Sequence, residues 1–235
     1  LWITERYPPL PGGMAVSAAR QVDLLRSNGW QVDVLTFLHK EINQPRIENK
    51  KRDGGEDVFV FYSESIANAT QKAWQKVIEL SLNTPYDLIV GFGCNFPGHV
   101  ATTFATWLKC SSMVSVRGND FDRDWFDIRR QAFVDQALSR ANLIGCVSRE
   151  KAEKIQSLYP GKKVGWLING IDAQLYQSIP TDIPIINQIR EELDANNKRI
   201  IGIFGEIKYK KRIPFLLEVL RTNGWLNRVA LLLVG

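Results

Sequence analysis

Short apolar runs alternate with segments of helical period along most of the chain, and this alternation restricts the fold more than any other feature. Residues 1–3, 32–37, 58–61, 88–92, 113–116, 143–147 and 164–168 read as strands. Between them, 15–25, 66–82, 99–108, 125–139 and 149–158 read as helices, the first stopped by Asn28 and Gly29. A strand-helix-strand order of this kind predicts parallel strands joined by crossover helices, with ligands bound beyond the carboxyl ends of the strands. Residues 39–57 are polar, mixed in charge and carry Pro45, Gly54 and Gly55, so they read as a long loop.

A second unit follows. Pro180 and Pro184 interrupt the pattern, a short polar helix is expected over 189–196, and 199–204 read as a buried strand. The expected division is an N-terminal Rossmann-like domain over 1–175, a linker over 176–198 and the opening of a C-terminal domain over 199–235. That last piece holds about two strands and one helix, too little to close a nucleotide-binding sheet of roughly five or six strands. Leu1 lies inside a strand and Gly235 at a strand end, so the chain is expected to be a fragment at both ends.

With 235 residues and 45% hydrophobic content, the chain has enough apolar surface for a sizeable core, which excludes global disorder. No apolar run reaches the roughly 18 residues that span a bilayer. The net charge of +5 is compatible with anionic ligands, nucleic acid or an acidic membrane surface and separates none of them. Cys94, Cys110 and Cys146 lack metal-type spacing and lie in or beside apolar runs, which predicts buried, reduced thiols and a cytoplasmic protein. The Asn68, Ala69, Thr70 acceptor sequence carries no meaning in that compartment.

Five loops carry candidate residues. Arg199 to Phe204 end at Gly205, and Lys208, Lys210, Lys211 and Arg212 lead into an apolar-periodic helix. A strand, a glycine turn and a cationic helix start form an anion site suited to phosphate or diphosphate. Gly12 and Gly13 follow Pro8, Pro9 and Pro11 and open a helix, leaving its first N–H groups for an anion or a sugar hydroxyl, or serving only as a tight turn. Arg117, Gly118, Asn119 and Asp120 come directly after a strand. They offer donors and acceptors for a polyhydroxyl ligand, or a helix N-cap with Arg117 as its ion-pair partner. His99 follows Gly91, Phe92 and Gly93 and is within reach of the same cleft; a nicotinamide site is not supported, because the third glycine of the dinucleotide fingerprint is missing. Asn169 and Gly170 suit a hinge, since both tolerate positive φ. No phosphate-binding Walker loop, zinc spacing or serine nucleophile elbow is present.

Taken in order, these motifs resemble the group 1, or family 4, glycosyltransferases of the GT-B fold. Gly205, Glu206, Ile207, three residues and Lys211 are similar to the family's glycine-arginine-leucine, three residues, lysine-glycine turn. Pro8 to Gly13 resemble the loop after its first strand, Asn169, Gly170, Ile171 and Asp172 its interdomain turn, and Val229 to Gly235 the strand after the lysine helix. Two positions depart: Glu206 stands where many relatives have arginine, and Arg212 where they usually have glycine. A carboxylate does not bind diphosphate, so Lys208, Lys210 or Arg212 is expected to supply the second charge, with Glu206 toward a sugar hydroxyl.

The resemblance implies an α/β, GT-B architecture of two Rossmann-like, doubly wound parallel-sheet domains, the second incomplete. It implies a retaining hexosyltransferase that moves a sugar from a nucleotide-diphosphate sugar to a hydroxyl on a glycan or lipid-linked saccharide, without cofactor or metal. Lys211 and Asp120 are then the catalytic candidates, and Gly12, Gly13, His99, Arg117, Asn119, Asn169, Gly170, Glu206 and Lys210 the substrate-binding ones. The setting is polysaccharide biosynthesis in the cytoplasm or at the inner membrane face, with peripheral membrane contact and no nucleic-acid partner; the isolated fragment is expected to be inactive. The competing readings are a sugar-nucleotide epimerase of the same fold and a basic nucleic-acid-binding module.

Overall fold

The computed structural model describes residues 1–195 and 197–235, with Lys210 described in its backbone only. The chain divides into two compact units, Leu1–Gly170 and Ile171–Gly235. In the first, the elements run β1 (Trp2–Thr4), α1 (Gly13–Ser27), β2 (Val34–His39), β3 (Arg46–Arg52), β4 (Gly55–Tyr62), α2 (Ile66–Asn83) and β5 (Leu88–Phe92). They continue through α3 (Phe96–Leu108), β6 (Ser111–Val116), α4 (Asn119–Asp122), α5 (Gln131–Arg140), β7 (Leu143–Cys146), α6 (Arg149–Leu158) and β8 (Lys163–Trp166).

These strands form one eight-stranded sheet in the order β3-β4-β2-β1-β5-β6-β7-β8. All neighbours are parallel except β3 and β4. Trp2 in β1 lies opposite Val34 on one side and Val90 on the other. The order of connection reverses at β1 and β5, which opens a crevice at their carboxyl ends.

Strand alternation sorts the core onto two faces. Ile3, Leu35, Val58 and Val60 pack with Ala73 of α2 and Phe104 of α3, whereas Trp2, Val34 and Phe92 pack with Ala18 and Val22 of α1. Phe104 is fully buried, which stabilises the unit by roughly 1.5–3 kcal/mol. Helix α3 lies unusually close to the sheet, because a Cβ at Gly91 would sit 2.6 Å from the Cα of Gly98. Asp57, also buried, is matched by Arg26 at 3.0 Å and Arg52 at 2.8 Å.

Several expected boundaries move. Residues 46–52 are not loop but β3, an antiparallel edge strand joined to β4 by the Asp53-Gly54 turn. Its charged residues hid it, yet charge on an edge strand is a common protection against stray pairing. Helix α3 begins at Phe96, with Pro97 in its first turn. The single helix expected over 125–139 is replaced by a 3₁₀ turn at Asp124–Phe126 and α5, with the short α4 ahead of both. Strand β8 stops at Trp166.

The second unit contains α7 (Ile183–Glu192), β9 (Arg199–Phe204), α8 (Ile213–Thr222) and β10 (Val229–Val234). The helix expected over 189–196 thus starts earlier, with Pro184 in its first turn rather than ahead of it. β9 and β10 are parallel, Arg199 opposite Val229 and Phe204 opposite Val234. Among the described residues no helix is long and apolar enough to cross a membrane.

Candidate functional site

Three loops meet at the carboxyl edge of the first unit's sheet. The loop after β1 ends at Gly12, which caps α1 with φ 119 and ψ 159 and accepts Val16 N–H at 3.1 Å. Gly13 is the first residue of that helix. One turn on, Ser17 faces the loop after β6, where the Arg117 guanidinium donates to its Oγ at 2.8 Å and also to Asn169 Oδ1. The same guanidinium lies over the Phe92 ring, 4.3 Å from its centre. Burial lowers the Arg117 pKa, and Asp120 opposes that change.

Arg117 is set by the backbone beneath it. Gly118 takes φ 141 and ψ −109, a conformation for which a side chain is strongly disfavoured, and it caps the short α4. Asp120, 8% exposed, accepts the Arg117 N–H at 3.0 Å and the Cys94 N–H at 3.0 Å. It therefore ties the loop after β6 to the loop after β5. The Cys94 thiol donates to the Asp120 carbonyl at 2.9 Å, and burial, followed by the Asp120 charge, pushes its pKa well up. Asn119 is exposed at the start of α4. Cys94 and Cys146 are buried and Cys110 is half-buried, all as free thiols.

A second polar cluster adjoins the first through Asn95. The Asp124 side chain is 1% exposed and accepts Arg123 Nε at 2.9 Å, Arg130 Nη1 at 3.0 Å and Asn95 Nδ2 at 2.9 Å. Burial pulls its pKa upward, but those three hydrogen bonds outweigh it and leave the carboxyl below its ordinary value. Glu5, exposed directly after β1, behaves oppositely: partial desolvation by the surrounding crevice raises its carboxyl and Arg130 only partly offsets that. His99 lies one turn into α3, edge-on to Phe133 with ring centres 5.0 Å apart. Its pKa is lowered by burial and then by Arg140.

Asn169 and Gly170 do not use the positive φ that both tolerate. Asn169 is instead joined through its side chain to Arg117 and Ser17. Ser17, Phe92, Asn95, Asp124 and Arg130 were not foreseen as part of this constellation. Ser17 was legible in principle, one helical turn beyond Gly13.

In the second unit, β9 ends at Gly205, whose φ of 85 turns the chain while its N–H donates to Val234 O at 2.7 Å. Lys211 closes a 3₁₀ turn (Tyr209–Lys211), and its Nζ donates to the carbonyl oxygen of Phe204 at 2.9 Å. The ammonium is thus held at the carboxyl end of β9. Glu206 pairs with Lys208 at 2.6 Å, which removes Lys208 as an uncompensated charge. Arg212 lies over the Tyr209 ring and has φ 54 and ψ 33, the left-handed conformation that explains why glycine is usual at this position in the resembling turn. The side chain of Lys210 lies outside the described residues.

A family model described as Glycosyltransferase Family 4 matches residues 11–175. A search of curated proteins found no match. Among solved structures, Anabaena HepE in complex with UDP is similar over 100% of this chain and 69% of its own, at 14% identity and a TM-score of 0.60. HepE in complex with UDP-glucose matches over the same shares at 15% identity and a TM-score of 0.59. An alpha,alpha-trehalose-phosphate synthase (UDP-forming) from Burkholderia xenovorans, in complex with glucose-6-phosphate, reaches a TM-score of 0.66 at 10% identity, over 100% of this chain and 65% of its own. At such identities the likeness establishes the architecture, which is GT-B.

Proposed function

The chain belongs to glycosyltransferase family 4, and from that premise we propose that it transfers a sugar, with retained configuration, from a nucleotide-diphosphate sugar to a hydroxyl of a saccharide or lipid-linked acceptor. Residues 1–175 serve the acceptor, 176–198 link, and 199–235 open the donor side. The observation that carries the reading is the Lys211 ammonium, fixed by the Phe204 carbonyl at the end of β9. UDP and UDP-glucose in the HepE structures give the reading its donor class.

As the anomeric C–O bond breaks, negative charge grows on the leaving diphosphate. An ammonium about 4 Å away at an effective dielectric near 20 stabilises that charge by about 4 kcal/mol, roughly a thousandfold in rate. Arg212 or Lys210 supplies the second positive charge, because Lys208 is already paired with Glu206. No metal is required in this course. The acceptor oxygen bonds to the anomeric carbon on the face the diphosphate leaves, and its proton passes to a departing diphosphate oxygen.

On the acceptor side, Arg117, Asn119, Asn169, Gly170 and the α1 start at Gly12 and Gly13 contact the incoming saccharide, with His99 on the adjoining wall. Asp120 enters as a positioning residue: its carboxylate holds the Arg117 and Cys94 backbones. Three free thiols fit a cytoplasmic site of action in polysaccharide assembly.

Calorimetric titration of the intact enzyme with UDP-glucose, other nucleotide sugars and a single-stranded oligonucleotide tests the reading. Saturable binding of at least one nucleotide sugar is expected. Oligonucleotide binding alone, falling steeply with salt, would replace it with a nucleic-acid module.

A further inference from the structure

An open groove of about 1220 Å³ runs between α2 and α3 in the first unit, above the roughly 300–1,000 Å³ usual for small-molecule sites. Its α3 wall carries Phe96, Val100, Phe104 and Trp107, at spacings that place them along one helical face. The first and last are eleven residues apart, about 16 Å along the helix at 1.5 Å per residue. Trp74 of α2 meets Phe104 and Trp107, with ring centres 4.9 Å away in each case. Trp107 remains 55% exposed and Phe133, on the same lining, 40% exposed. Aromatic surface left open on this scale marks a binding site.

Cations gather at the mouth. Arg6 follows β1, Lys40 follows β2 and Arg130 precedes α5, so all three lie at the carboxyl edge of the sheet, the edge that also holds Gly12 and Arg117. Among the described residues neither Arg6 nor Lys40 has an ion-pair partner, whereas Arg130 is paired with Asp124. The lining contains a single carboxylate, Glu5. Arg140, at the end of α5, adds a further cation to the lining, so the mouth is cationic at Arg6 and Lys40 while Trp74, Phe104 and Trp107 make the wall between α2 and α3 aromatic.

We infer that this groove holds the hydrocarbon chain of an acceptor amphiphile, whose phosphate-type head sits at Arg6 and Lys40. The inference rests on the glycosyltransferase reading and narrows its acceptor to the lipid-linked class. An anion at the mouth brings the head, and any hydroxyl beside it, to the crevice at Arg117, while the chain trails toward Trp107.

The probe is dodecyl phosphate, held below its micelle-forming concentration and titrated into the intact enzyme, with inorganic phosphate and dodecyl maltoside as comparison ligands. Tryptophan fluorescence and calorimetry report binding, and a UDP-glucose titration runs in parallel. One-to-one binding of dodecyl phosphate is expected at least tenfold tighter than either comparison ligand. Trp107→Ser should weaken it at least fivefold, and Arg6→Gln with Lys40→Gln about tenfold, with UDP-glucose affinity unchanged in all variants. If UDP-glucose binds while dodecyl phosphate does not, or if the variants leave dodecyl phosphate affinity unchanged, the groove assignment is overturned and the glycosyltransferase reading stands. If no nucleotide sugar binds although dodecyl phosphate does, that reading falls, and the acceptor role of the groove falls with it.

Discussion

The guanidinium carbon of Arg117 lies 4.3 Å from the centre of the Phe92 ring while the same group donates to Ser17 Oγ at 2.8 Å. One planar side chain is thus stacked and hydrogen-bonded at once, a geometry that a lysine ammonium does not reproduce. In Arg117→Lys the acceptor KM is expected to rise about tenfold, equivalent to about 1.4 kcal/mol, with a smaller change in kcat. Steady-state kinetics on the intact enzyme measures both; unchanged constants would mean that charge alone suffices.

Gly91 and Gly98 let α3 lie against β5 at a distance that excludes any side chain. Gly91→Ala should force the helix outward and cost about 1–3 kcal/mol. Urea unfolding followed by circular dichroism reads the loss directly.

The parallel sheet was legible because buried strands write themselves as apolar runs: residues 88–92 were assigned from sequence and are β5 in the structure. β3 was missed because Arg46, Glu48, Lys50, Lys51 and Arg52 carry an edge strand's charge rather than an apolar pattern. The Asp53-Gly54 turn was the available signal, and it was outweighed by the polarity around it. Arg117 was found from its place after a strand, but its link to Asn169 joins residues 52 positions apart, and no local pattern encodes that. The buried Asp124 cluster was hidden for a related reason, since Arg123, Arg130 and Asn95 look like ordinary surface polarity until the chain folds.

His99 makes stability sensitive to acid. Burial lowers its pKa, so the unfolded chain binds the proton more readily and stability falls as pH drops below the ordinary histidine value of about 6.5. Asp124, also lowered, adds a further loss once pH falls below the ordinary aspartate value. Denaturation between pH 7.5 and 5 should show the first decline in the native protein and a flatter profile in His99→Gln. Identical slopes would remove His99 as the cause.

Arg212 holds a left-handed backbone at φ 54. Gly is favoured there over other residues by about 1 kcal/mol after its greater unfolded-state freedom is counted. Arg212→Gly should therefore be more stable than Arg212→Ala by that amount in thermal unfolding of the intact enzyme, although both lose the contact with Tyr209. The reverse order would show that this turn relaxes when the side chain is removed.

Exchanging Lys211 for Met in the intact enzyme removes the charge of one amine while keeping a side chain of similar length. The measurement is kcat for sugar transfer, with circular dichroism confirming an intact fold. A fall of about 100- to 1,000-fold is expected, with nucleotide-sugar affinity changed less than tenfold; transfer at the native rate would rule out Lys211 as the group that meets the leaving diphosphate.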